Sequence, residues 1–588
     1  MIRSPSASGP SALIAAATDQ AARAEAVALV LAAAADKAWS EHVSGALGLS
    51  DAMAAAPKVS GSGQTRSLNL WDYAKGDGVT DDTLAINRTL ALAVSLGVRR
   101  INCGGADRTY LLGGDFLVYG TFPAPGGDVP FNRYKLRLYS DLEIVGQGAT
   151  LRLAGGSTYP GGIFGHPFWQ GERLRHVTIQ GLVLDGNMAR QIMPPIPANT
   201  HDNSVWQHGN AISGCFDGLQ VSECVFRDLR GHGINLNWAS TTPEVWAQPQ
   251  HVEVHHNEFV NVFTQACNAG AVDTHFHHNL IHGDGFWVGG FDIESGHPAF
   301  AIRHVRSHDN VYDFRKGFAP AEISPQYASD SELAKDRRCR TRRAVTSFCP
   351  PFPNEQWTGT MDDIVISNET IYQGCIAMSR FGNVKLRDVC ITNRLFEDLS
   401  GNALSSPNAI SISALETHGI TGCEVTGTRI DSVLAGQGIY MHGIGNVVVR
   451  DNEVRGVRSA AVRLEGCSGV VDGLKAKDFG ADDSALPADA IGNQSSAVVI
   501  YGGQTQALTI SNVRAIETRS GKARHGRHAI YANVAASPPT HLTNYNAKGL
   551  LSDALRDVNG TTVPIPDAPS QGAVALTVDR SFVERDGA

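Results

Sequence analysis

The stretch His251-Val252-Glu253-Val254-His255-His256-Asn257-Glu258-Phe259 returns 22 residues later as Asp273-Thr274-His275-Phe276-His277-His278-Asn279-Leu280-Ile281. Alternation of inward and outward side chains with period two marks a strand with one buried face. The same pattern recurs as HVTIQGLVL from 176, GLQVSECVF from 218, HVRSHDNVY from 304, DDIVISNET from 362 and NVKLRDVCI from 383. It continues as HGITGCEVT from 418, NVVVRDNEV from 446 and QALTISNVR from 506. The step from 362 to 383 is 21 residues, and longer steps read as one turn plus an insertion, or two turns. Asn holds the seventh place in Asn257, Asn279, Asn310, Asn368, Asn452 and Asn512. Asn tolerates the left-handed backbone of a sharp corner, and stacked Asn side chains bond to one another.

A second strand follows most of these segments, as in GHGINLN from 231, GDGFWVG from 283, GQGIYMH from 436 and SAAVRLE from 459. Alternation sends Ile234 and Leu236, Ile439 and Met441, and Val462 and Leu464 inward. Short strands at a period near 22, joined by tight corners, are the pattern of a parallel β-solenoid. A propeller needs about 40–50 residues per blade, and a sandwich does not repeat its corner residue.

Composition agrees. Of 588 residues, 62 are glycine and 26 proline, too few for collagen or a low-complexity chain. With 49 basic and 58 acidic residues the net charge is −9, which argues against nucleic acid as the main partner. No apolar run approaches the ~18 residues of a membrane span. The longest, Ala26 to Ala35, follows Asp19 and Glu25 and is a poor secretory signal. Ten cysteines without a C-x-x-C pair read as packed thiols. Residues 1–60 are Ala-rich and read as a helical leader, either solvated or used for attachment or oligomerisation. Ser60-Gly61-Ser62-Gly63 closes it as a linker. Beyond it, Asp81 or Asp82 is placed to cap a helix through Ala85, Ile86, Leu90 and Val94 to Gly97.

The segment 69–91, with its core YAKGDGVTDDTLAINRTLA, resembles the opening of pectate-lyase-like right-handed β-helix proteins. That superfamily includes bacteriophage tailspike depolymerases, glycoside hydrolases and polysaccharide lyases. The resemblance covers roughly 68–530. It implies an all-β, right-handed parallel β-helix with a short α-helical N-terminal segment. The expected layout is a leader (1–60), a cap and first turns (61–175), the solenoid (176–530) and a C-terminal tail (531–588). Insertions at 187–208, 239–250 and 315–361 are expected to rim a groove.

Within that frame, Asp292 and Glu294 form the candidate catalytic pair. Alternation puts Phe291 and Ile293 inward and the two carboxylates outward. Residues i and i+2 on a strand stand about 6.5–7 Å apart, and side-chain freedom spans both glycosidase spacings, ~5–5.5 Å and ~6.5–9.5 Å. Asp284, before the same strand, is the third candidate. Trp287, Trp238 and Trp246 are candidate sugar platforms. Arg340 and Arg342, in a basic run between and beside Cys339 and Cys349, are candidates for gripping an anionic polymer. A Cys339–Cys349 disulfide would staple that loop. The bland alternatives are solvated strand residues and a solvated loop.

The histidines between 251 and 308 invite zinc, but their places on stacked turns favour polar ladders, and neither metal nor cofactor is expected. Gly231-His232-Gly233 resembles the Gly-His-Gly of polygalacturonases, whose other motifs are missing at matching places, so that function is not carried over.

The expected function is binding and hydrolysis of a bacterial surface polysaccharide by a virion-displayed or secreted tailspike-type depolymerase. The resemblance implies a homotrimer, with residues 1–60 attaching to phage tail or other virion proteins, and neither nucleic acid nor a membrane span. A lyase acting on uronic acids and a non-catalytic glycan-binding spike are the competing readings.

Overall fold

The computed structural model describes residues 67–583 except for connecting segments, of which 192–208, 316–341, 348–360, 394–407, 481–494 and 558–573 are the longest. The leader therefore lies outside the described residues.

The chain winds as a parallel β-helix with three strand faces. One turn shows the plan: Gln250–His255 forms face one, Glu258–Val262 face two and Gln265–Ala269 face three. The next turn repeats it with Val272–His277, Leu280–His282 and Gly289–Asp292. Strands pair in parallel with the same face of neighbouring turns, as in Val252↔Thr274, Phe259↔Ile281 and Cys267↔Phe291. Face three alone holds 14 strands in unbroken order, from Tyr134–Arg137 to Leu555–Asp557. This is the fold the 22-residue period predicts.

Alternation decides what the solenoid encloses. Ile234, Leu236, Ile439, Met441, Val462 and Leu464 all join one continuous core. Aromatic rings stack along it, with centroids 4.5 Å apart for Phe226–Phe259 and 4.6 Å for Phe276–Phe291. Each such pair contributes about 0.5–1.5 kcal/mol beyond the burial of its area. Seven cysteines are buried free thiols, as packing predicts, while Cys390 is exposed. Cys339 and Cys349 lie outside the described residues.

Helix α1 (Thr83–Ser95) buries Ile86, Leu90 and Ala93. The two adjacent aspartates divide the capping work. Asp81 accepts from the Thr83 N–H at 3.0 Å and its hydroxyl at 2.6 Å. Asp82 turns back and accepts from the N–H groups of Lys75 and Gly76 at 2.8 and 2.9 Å, fastening the preceding turn.

The corner between faces one and two refines the reading of the asparagines. The left-handed residue is the one before the recurrent Asn: His256, His278, Asp309 and Asp451, with φ of 54–57°. The next residue then points inward and must satisfy buried backbone groups. Asn257 Oδ1 accepts from Cys224 N–H at 2.9 Å, Asn279 Oδ1 from Asn257 N–H at 3.0 Å, and Asn310 Oδ1 from Asn279 N–H at 2.9 Å. Asn368 and Asn512 differ. They hold the left-handed position itself, at φ 55° and 54°. After Asn368, the inward place passes to Glu369, which is completely buried and accepts from Asn310 N–H at 2.9 Å.

Two segment boundaries change. The expected insertion 315–361 contains a regular face-three strand, Arg342–Thr346, paired with Gly289–Asp292 and Gly374–Ser379. The turn begun by Ile302–His308 and Val311–Asp313 is thus completed inside it. The regular repeats do not end near 530 either. Ser537–Lys548 continues the parallel ladder and pairs onward with Val574–Asp579 and Phe582–Val583. Strand pairing uses backbone groups, so it persists where side-chain alternation weakens.

Burial without a counter-charge pushes the Glu369 carboxyl up to about 8, against hydrogen bonds from Ser307 and Asn310 that favour the charged form. A raised acid leaves stability intact below its unfolded value near 4.5 and removes it as pH rises towards 8. Glu369→Gln should therefore flatten the fall in thermal midpoint between about pH 5 and pH 8, with its largest relative gain at pH 8, measured by thermal unfolding across that range. Asn279→Ala should cost about 1–3 kcal/mol at any pH, by stranding the buried Asn257 N–H.

Candidate active site

Face three positions the two carboxylates. Phe291 and Ile293 enter the core, so Asp292 and Glu294 lie on the other side of the wall. Register places Asp292 beside Asn268 on the preceding turn and Thr346 on the following one.

Outward, however, does not mean wet. Asp292 is only 1% exposed, unlike the solvated strand residue of the bland alternative, while Glu294 keeps part of its surface. The Gln265 amide donates to Asp292 Oδ2, and Asn268 Nδ2 donates to Glu294 Oε2 at 2.9 Å. The two carboxyls are close enough for each to influence the other's proton. Asp292 Oδ1, Gln265 Oε1 and Thr346 Oγ1 are buried without a hydrogen-bond partner among the described residues. Buried polar atoms are seldom left this way.

Burial is the main cause that pushes both acids up. Asp292 is raised well above the ordinary carboxylate range, first by burial and then by the Glu294 charge, against Gln265 and the Arg343 guanidinium. Glu294 is pushed up to about 7 by burial, against hydrogen bonds from Asn268 and Asp292. Both acids therefore hold their protons to higher pH than an ordinary carboxylate. Most other shifted carboxylates move the opposite way: Asp77, Asp81, Asp217, Asp313, Asp363, Glu424, Asp472 and Asp478 are all lowered by partners. Asp228 and Glu369 are also raised, Glu369 inside a corner ladder with no outward face.

The other candidates are less well placed by the structure. Asp284, Trp287, Trp238 and Arg340 lie outside the described residues. Trp246 belongs to Val245–Ala247, which forms an antiparallel hairpin with Ala239–Thr242 in the expected insertion. Arg342 opens the face-three strand after Asp292, opposite Gly374. His232 is buried, with its backbone N–H donating 2.9 Å to Asn210 Oδ1. A Cβ on Gly233 would stand 2.5 Å from the Ala266 carbonyl, so that glycine is required by packing between turns.

Gln265, Asn268 and Thr346 were not singled out from sequence. Aligning face-three strands by turn would have found Asn268, since it precedes Asp292 by one turn. The same alignment exposes a further column: Ser411, Tyr440, Arg463 and Val499 continue the line of Asp292 and Thr346. Tyr440 donates 2.6 Å to Glu465 Oε2, and the Arg463 guanidinium lies 5.1 Å from the Tyr501 ring centroid. At about 4.8 Å per turn, Tyr440 stands four turns, or roughly 19 Å, from Asp292.

No family model and no curated protein matches the chain. Among solved structures, it is similar to the tailspike protein of E. coli bacteriophage HK620 in complex with a pentasaccharide, at 10% identity and TM-score 0.44, covering 86% of this chain and 82% of that one. The A-module of mannuronan C-5 epimerase AlgE6 from Azotobacter vinelandii matches at 14% and 0.37, covering 88% and 100%. The catalytic unit of a GH87 α-1,3-glucanase from Streptomyces thermodiastaticus matches at 13% and 0.38, covering 90% and 70%. The chemistry of this chain rests on its own residues.

A protonated carboxyl should be visible at pH 7. In a Glu369→Gln background, infrared spectra should show a protonated carboxyl C=O band that titrates away near and above neutrality. Asp292→Asn should remove that band or shift its titration. An unchanged band would place the proton elsewhere.

Proposed function

We propose that the protein binds a polysaccharide along face three and hydrolyses its glycosidic bonds with the Asp292–Glu294 pair. The observation that carries this reading is a carboxyl pair held on the outer side of the solenoid, with Asp292 buried, beside polar atoms that have no partner among the described residues. A general acid must hold its proton near the working pH, and burial beside a like charge supplies that condition. Glu294, the less buried member, delivers the proton to the leaving-group oxygen. Asp292, the more strongly raised acid, returns a proton to Glu294 after the transfer. Asp284, on the segment leading into the same strand, is the carboxylate assigned to activate water.

The protein neighbours include a tailspike bound to an oligosaccharide and a glucanase, which accords with polysaccharide binding or degradation. Tyr440, Arg463 and Tyr501 supply aromatic and cationic surface further along the same face, suited to successive sugars of a chain. In this reading the protein acts outside the cell or on a virion as a tailspike-type spike. Trimerisation and attachment through residues 1–60 belong to the same proposal.

Incubation with acidic and neutral bacterial exopolysaccharides should yield new reducing ends without near-ultraviolet absorbance. Asp292→Asn and Glu294→Gln should each lower the rate by about 10²–10⁴ while leaving binding in place. The pH–rate profile should have a limb near 7 that Glu294→Gln abolishes. Near-ultraviolet absorbance would instead assign β-elimination, and binding without either product would make the protein a recognition spike.

A further inference from the structure

The histidines that pack outside the corner between faces one and two form an ordered array. Three consecutive turns end their face-one strand with the pairs His255-His256, His277-His278 and His308-Asp309. Register aligns His255, His277 and His308. Their rings stack with centroids 5.1 and 4.8 Å apart, and His256 stacks on His278 at 4.9 Å. The turns on either side carry Ser222-Glu223 and Ser367-Asn368 at the same place, so the array ends there.

The left-handed corner folds the second side chain of each pair back on the first. His255 Nδ1 lies 2.9 Å from His256 Nδ1, and His277 Nδ1 lies 2.9 Å from His278 Nδ1. His308 Nδ1 lies 2.7 Å from Asp309 Oδ2. Two neutral imidazole nitrogens at such a distance repel unless one proton or a cation stands between them. The ligand atoms of His277, His278 and His308 all fall within 4.8 Å of one another. Nitrogens around a four-coordinate zinc, at about 2.0–2.1 Å from the ion, stand roughly 3.4 Å apart. Small rotations of these side chains close that difference. His278 is exposed and His308 is one-third exposed, so an ion can enter from solvent.

We propose that His277, His278 and His308 form a binding site for a borderline divalent transition-metal ion such as zinc, with Asp309 beside it. Imidazole sets favour such ions over magnesium or calcium. The ladder expected from sequence is present, and the same stacking that makes it a ladder brings ligands from successive turns together. The site lies at the corner of faces one and two, away from the face-three carboxylates. Its role is a staple across turns, independent of the reading given for Asp292 and Glu294.

The test uses the full chain, stripped with chelator and titrated with zinc chloride by calorimetry. Saturable binding is expected, with a rise in thermal midpoint on zinc addition. His278→Asn keeps a residue that accepts the left-handed corner, and His308→Gln leaves the corner untouched. Each should weaken zinc binding at least tenfold and abolish the rise in midpoint, while their metal-free midpoints stay close to wild type. His304→Asn, in the neighbouring His–Asp column where His304 Nδ1 meets Asp273 Oδ1 at 2.7 Å, should bind zinc as wild type does. No saturable binding, wild-type affinity in both ladder variants, or an equal loss in His304→Asn would overturn the proposal.

Discussion

The constraint on which the rest depends is the corner between faces one and two. A strand that must turn sharply at every winding needs a left-handed residue there, and the residue after it is forced inward. That inward residue meets backbone N–H groups that no sheet bond can reach. The Asn257–Asn279–Asn310–Glu369 series answers this by having each side chain accept from the corner of the turn before it. Buried polar groups are costly alone and cheap when bonded. The ladder therefore ties register to register, and a slip of one residue would turn every core side chain outward.

The same constraint explains the outer chemistry. Because corners stack, whatever occupies the left-handed position stacks too. His256 over His278, and the alternation of His251, Asp273 and His304, all at left-handed positions, follow from repetition rather than from separate design. Face three obeys the same logic without a corner. There, columns of equivalent residues gather polar, charged and aromatic groups turn by turn, from Asn268 and Asp292 to Tyr440 and Arg463.

A parallel solenoid also separates stability from activity. The core is one continuous column of apolar side chains, and its strands satisfy one another across turns. Outer positions are thereby released from packing. An acid such as Asp292 is an exception that calls for explanation, since it lies outside the core and yet is buried. Glu369 shows the opposite case, a raised acid in a place where only the ladder uses it.

The period of 22, the inward residues of each strand and the outward side of Asp292 and Glu294 could all be read from the sequence alone. Those features are local: alternation and corner chemistry operate within a few residues. Tertiary structure alone decided that Asp292 is dry, that Gln265 and Asn268 hold the pair, and that Arg342–Thr346 completes a turn inside an apparent insertion. It alone separated Asn368, on the left-handed corner, from Glu369 behind it. Each of these depends on the neighbouring turn, and residues that touch across turns are 22 or more positions apart with a spacing that insertions alter. Alternation gives the side of the wall on which a residue lies. What covers it on that side, and therefore where its proton resides, is set only when the turns stack.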